Sequence, residues 1–77
     1  MNNKTTKETL KKIKQLGESI KKYRRKKKLS QNKFAEIIDI SREHLAKIET
    51  AKRSVSLDLL IKIAEELDVR VKDLIEF

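Results

Sequence analysis

Across its 77 residues the chain has no proline and a single glycine, Gly17. Hairpins and strand ends are punctuated mainly by these two residue types, so a sheet has almost nothing to turn on and the expectation is an all-helical chain. Cysteine is also absent, which excludes a disulfide framework, a thiolate metal site and a cysteine nucleophile and suits a reducing cytoplasm. No apolar run exceeds three residues (Leu59, Leu60 and Ile61), and the lysine-rich start lacks the apolar stretch and cleavage site of a signal peptide. The chain is therefore expected to be soluble, cytoplasmic and not membrane-bound. A domain of this size buries only about 60 per cent of its unfolded surface, so a second copy would help to stabilise it.

Helix starts can be read from hydroxyl caps. Thr5 and Glu8 have capping-box spacing, and Leu10, Ile13, Leu16, Ile20 and Tyr23 then recur at helical intervals, giving a helix over about residues 6–27. Gly17 costs about 1 kcal/mol inside it relative to alanine. The expectation is one unbroken helix, the alternative two shorter ones meeting near Gly17. Ser30 heads a helix over residues 31–38 with Phe34, Ala35 and Ile38 on one face, and Ser41 heads another over 42–50 whose apolar side is Leu45 and Ile48. Ser56 caps a fourth, with Leu57, Leu60, Ile63, Ala64 and Leu67 as its stripe and Asp58 near its positive N-terminal dipole. Val71, Leu74 and Ile75 mark a short fifth.

The charge of +8 is unevenly spread. Residues 1–28 carry twelve Lys or Arg against Glu8 and Glu18, residues 29–55 five against four, and residues 56–77 three against six. A basic end and an acidic end fit a molecule that meets a polyanion with one face, although charge alone equally admits RNA or an anionic membrane.

The second and third helices are separated only by Asp39 and Ile40, the spacing of a helix-turn-helix, whose second helix stands proud of the body and enters the DNA major groove. With Leu45 and Ile48 buried, Glu43, Ala46, Lys47 and Thr50 lie opposite, and Arg42 and His44 flank them. Arg42 and Lys47 suit guanine O6 and N7, and Glu43 suits the cytosine amino group, so these three are the candidate base-reading residues. Each has an ordinary alternative: a solvated helix face for Arg42 and Lys47, and dipole stabilisation for Glu43. His44, the only histidine, is a poor metal ligand or catalyst without a second donor; it is assigned with Thr50, Lys52 and Arg53 to phosphate contacts, with plain exposure as its alternative.

LSQ at 29–31, FA at 34–35, IS at 40–41, IE at 48–49 and SLDLLIKIAEEL at 56–67 together resemble the Cro and phage-repressor-like (Xre) helix-turn-helix family, over residues 16–76. The resemblance implies a five-helix, lambda-repressor-like DNA-binding domain over residues 16–77, here preceded by a basic N-terminal helical extension, residues 1–15. It implies a homodimer that binds a partly palindromic operator in double-stranded DNA and regulates transcription. It further implies a phosphate contact from Gln31 and an ion pair of Arg24 with Glu49 beneath the recognition helix. The sequence departs from the family's frequent glycines at Asp39, Ala51 and Asp68, from a common proline at Val55, and from a frequent acid at Lys33. Aspartate tolerates the left-handed backbone that glycine would supply; Ala51 does so less readily.

Apolar side chains near the C-terminus, Val71, Leu74, Ile75 and Phe77, are the candidate dimer interface. Ile37 and Leu59 are apolar where the family is usually polar, either by incidental exposure or as a seam. No nucleophile with a base, paired carboxylates, phosphate loop or metal-ligand cluster is discernible, so neither an enzyme nor a cofactor is expected. Within a bacterial or phage setting, the family's short members include repressors, controllers of restriction–modification systems and antitoxins, with a toxin or polymerase as the possible protein partner. A rival of another class is a membrane-surface module that uses Leu10, Ile13 and Ile20 with the surrounding lysines as a basic amphipathic helix.

Overall fold

In a computed structural model, which describes residues 6–76, the chain forms five helices: α1 (Lys7–Lys26), α2 (Gln31–Ile37), α3 (Arg42–Glu49), α4 (Leu57–Leu67) and α5 (Val71–Leu74). Each of the first four begins at a hydroxyl whose oxygen accepts an otherwise unpaired backbone N–H three residues on. Thr6 accepts from Thr9 at 3.1 Å, Ser30 from Lys33 at 3.0 Å, Ser41 from His44 at 3.0 Å and Ser56 from Leu59 at 3.3 Å. The cap of α1 is thus Thr6; the capping box expected of Thr5 and Glu8 falls partly on Thr5, outside the described residues.

The same four helices also end alike. Lys28, Asp39, Ala51 and Asp68 adopt left-handed backbone, with φ of 60°, 61°, 62° and 61°. The residue after each returns its N–H to a carbonyl five positions back: Leu29 to Arg24, Ile40 to Ala35, Lys52 to Lys47 and Val69 to Ala64, at 2.8–3.2 Å. These are Schellman closures built without glycine, each at a cost of about 1–2 kcal/mol in backbone strain. They turn the chain sharply enough for neighbouring helices to pack.

One apolar core results, made by Ile20, Phe34, Ala35, Ile38, Leu45, Ile48, Leu60, Ile63, Ala64, Leu67 and Leu74. Two positions read as part of its helical stripes do not reach it. Leu10 is 56% exposed and Leu57 70% exposed. Periodicity gave the direction in which they point, but at these helix ends no neighbouring element lies opposite.

Helix α1 is unbroken, and Gly17 has a tertiary role within it. A side-chain carbon there would lie 2.7 Å from the carbonyl oxygens of both Ile48 and Glu49, at the C-terminus of α3. Only glycine allows the backbones of α1 and α3 to approach this closely.

Candidate nucleic-acid interface

Between α2 and α3 the chain reverses over Ile38–Asp39–Ile40, and the Ser41 cap then starts α3 at a fixed angle. Leu45 and Ile48 anchor α3 in the core. Arg42, Glu43, Lys47 and Thr50 are exposed, while Ala46 and His44 are half-buried. The exposed face has side chains of both charge signs at the N-terminal turns, where a helix inserted in a groove meets base edges.

What holds that face in place is a polar knot at the other end of α3. Glu49 is only 4% exposed, and its carboxylate receives Nε of Arg24 at 2.6 Å and Nη2 of Arg24 at 3.1 Å. Nε2 of Gln31 adds a third bond, to Oε1 at 3.0 Å, and Nη1 of Arg24 donates to the Leu29 carbonyl at 2.6 Å. A single carboxylate therefore ties α1, the entry to α2 and the end of α3. The bidentate fork fixes orientation as well as distance. Among the described residues no buried side-chain donor or acceptor lacks a partner.

The residues assigned to phosphates differ in what they have left to offer. Lys52 and Arg53 are exposed on the loop that leaves α3. Gln31 has one of its two amide hydrogens engaged by Glu49, leaving the other available. Thr50 is exposed, but its hydroxyl donates to the carbonyl of Ala46 at 2.8 Å, so in this rotamer its only hydrogen is engaged within the helix. His44 is half-buried.

Of the four apolar residues proposed for pairing two copies, Leu74 is fully buried in the subunit's own core and is not available to a partner. Helix α5 packs on α1 and α4, with Leu74 in the core they share. Val71 is half-buried, Ile75 is 40% exposed, and Phe77 lies outside the described residues. Ile37 and Ile61 are further apolar surface, at 38% and 42% exposure. Among the described residues there is no group of three or more His, Asp or Glu side chains that could hold a metal, and no helix long and apolar enough to cross a membrane.

A helix-turn-helix family model matches residues 20–74. The control protein C.MunI of Mycoplasma sp is 42% identical over 59 residues, covering 75% of this chain and 80% of the relative. The control protein C.BamHI of Bacillus amyloliquefaciens is 42% identical over 52 residues, 68% of this chain and 64% of the relative, so the match spans just under two thirds of that protein. In structure the chain resembles the restriction-modification controller protein C.AhdI from Aeromonas hydrophila, with a TM-score of 0.76 and 29% identity over 80% of this chain and 94% of the other.

Proposed function

The chain belongs to the Xre-like helix-turn-helix family of DNA-binding transcription regulators, and we propose that it acts as a homodimeric controller of a restriction–modification gene set, binding a partly palindromic operator in the bacterial cytoplasm. The observation that carries DNA reading is the split of α3. Leu45, Ile48 and Glu49 are committed to the fold, while Arg42, Glu43 and Lys47 are exposed at the helix's leading turns. The controller setting is supported by the curated relatives, which are named as control proteins.

In this mechanism the lysines and arginines draw the protein to DNA and Lys52, Arg53 and Gln31 hold phosphates on either side of the groove, fixing register. Arg42 and Lys47 then donate to guanine edges, and Glu43 accepts from a cytosine amino group. Two copies related by a two-fold axis would place their α3 helices about 34 Å apart, one turn of DNA. Occupancy changes transcription by excluding or recruiting polymerase, so the protein is a binder rather than an enzyme.

Selection of bound sequences from random duplexes tests this reading. It is supported if the selected sites are two inverted half-sites about one helical turn apart and recur upstream of restriction–modification genes beside the protein's own. Enrichment of no sequence would overturn it.

A further inference from the structure

One position on the outward side of α3 carries almost no side chain. At 100° per residue, Glu43 and Thr50 lie about 170° around the helix from the midline of buried Leu45 and Ile48, and Ala46 and Lys47 about 130°. These four share the outermost strip. Their spacing is i, i+3, i+4 and i+7, along which a helix lying in the major groove can meet successive base edges. Glu43, Lys47 and Thr50 are exposed, whereas Ala46 is half-buried. It is the floor of a notch, because its outward neighbours three and four positions away, Arg42, Glu43 and Thr50, are all longer.

Thr50 closes the notch, and it does so with carbon. Its hydroxyl is turned back onto its own helix, donating to the Ala46 carbonyl at 2.8 Å and reaching the Lys47 carbonyl at 3.4 Å. A phosphate oxygen needs a donor, and the single hydroxyl hydrogen is already engaged. The γ-methyl is the other heavy branch of the same β-carbon, on a residue that is exposed. Four residues apart on a helix, the β-carbons of Ala46 and Thr50 are about 5–6 Å from one another. A methyl group set between them touches both at the ordinary carbon contact of about 3.5–4.0 Å. In the major groove the group that matches is the 5-methyl of a pyrimidine, since every other base-edge feature is a donor or an acceptor. An amino or carbonyl group pressed into this notch would lose water without gaining a partner.

We propose that Ala46 and Thr50 form a notch in α3 that reads the 5-methyl group of a pyrimidine, making Thr50 a base contact instead of a phosphate contact. The inference rests on base reading by α3 and adds to it a position that no hydrogen-bonding side chain supplies. Thymine and 5-methylcytosine carry the same methyl group, and Glu43, one turn before Ala46, separates them. Its carboxylate accepts from the cytosine amino group, which stands on the carbon next to the methylated one. With Glu43 on that same base the notch takes 5-methylcytosine; with Glu43 on a neighbouring base it takes thymine.

The test measures binding of the full chain to duplexes carrying the selected site in which each thymine is replaced in turn by uracil, or each cytosine by 5-methylcytosine. Expected is one position in each half-site where removing the thymine methyl weakens binding about fourfold, or where methylating cytosine strengthens it as much, the order for one buried methyl group. Two variants then locate the contact. Thr50→Ser keeps the hydroxyl and loses the γ-methyl, so the methyl effect should largely vanish; Thr50→Val keeps a γ-methyl and loses the hydroxyl, so the effect should remain. Circular dichroism checks that both are folded. Wild-type indifference to every methyl, with preference for the selected over a scrambled duplex intact, overturns this notch alone. A methyl effect undiminished in Thr50→Ser overturns it by placing the contact elsewhere. If Thr50→Val weakens selected and scrambled duplexes alike while Thr50→Ser binds as wild type, Thr50 is a phosphate contact and the notch is again overturned. A wild-type chain with no preference between the two duplexes removes the base reading of α3 and this inference with it.

Discussion

Arg24 and Glu49, 25 positions apart in sequence, form a two-point ion pair in which 7% and 1% of their side-chain surfaces remain exposed. Desolvating two charges is costly, and the pair is held by its geometry and by the added bonds from Gln31 and to the Leu29 carbonyl. Removing one partner leaves the other charge buried and uncompensated, which costs about 3–5 kcal/mol. Glu49→Ala should therefore consume much of the stability of so small a domain in urea denaturation. Replacing both by apolar residues of similar volume, Arg24→Met with Glu49→Leu, should recover a large part of it. A negligible shift for Glu49→Ala would show that the pair does not hold the helices together.

Gly17→Ala sets helix propensity against packing. Alanine improves an isolated helix by about 1 kcal/mol. In this position its side-chain carbon meets two backbone oxygens at 2.7 Å, and backbone cannot swing aside as a flexible side chain can. Overpacking of this kind costs about 1–3 kcal/mol, so the variant should be less stable by thermal unfolding. Because relief requires α3 to move outward, sequence discrimination should fall more than binding to random DNA. A stabilised variant would mean that the helices separate freely.

At Ala51, φ of 62° calls for the opposite exchange. Releasing the left-handed strain returns about 1–2 kcal/mol, and the freer unfolded chain takes back about 0.4–1 kcal/mol. Ala51→Gly should stabilise by about 0.5–1 kcal/mol, measured by urea midpoint at unchanged m-value. Ala46→Gly, inside α3, should do the reverse.

Asp58 provides a pH dependence. Hydrogen bonds from Ser56 and from the Leu59 and Asp58 backbone hold its carboxyl below the usual value of 3.8. A lowered folded-state value means that its stabilisation is fully present above the unfolded value and is lost as pH falls through the folded one. The stability difference between wild type and Asp58→Asn should be constant at neutral pH and shrink only below about pH 4.

Base reading and phosphate holding separate in two further sets of variants. Arg42→Ala or Lys47→Ala should cost about 1–3 kcal/mol on the selected duplex and relax preference at one base position in each half-site. Lys52→Ala or Arg53→Ala should weaken selected and scrambled duplexes alike. Equal losses on both duplexes for Arg42 and Lys47 would remove α3 from the groove.

The helix starts were legible because capping is local chemistry: Ser30, Ser41 and Ser56 each bond within their own first turn. The exposed side of α3 followed from Leu45 and Ile48 alone. What depended on distant neighbours was not legible. Gly17 read as a cost within one helix, since its reason lies in the carbonyls of another. Leu10, Leu57 and Leu74 share the same apolar signal, yet two are exposed and one is fully buried, because spacing along a helix does not say where the facing element stops. Lys28 gave no sign of its left-handed backbone, as lysine is not a turn residue and the turn is set by closing Leu29 onto Arg24.

Arg42, Glu43 and Lys47 are exposed and make no side-chain hydrogen bond or ion pair among the described residues, while the knot at Glu49 fixes their helix from beneath. Exchanges at such positions usually change stability by no more than about 0.5 kcal/mol. Under the proposed reading of bases by these three side chains, selection can rewrite the address without disturbing the carrier. A cell that acquires a second gene of this kind needs only a few substitutions on one short helix for the two products to stop competing for each other's sites, and no intermediate along that path has to be poorly folded.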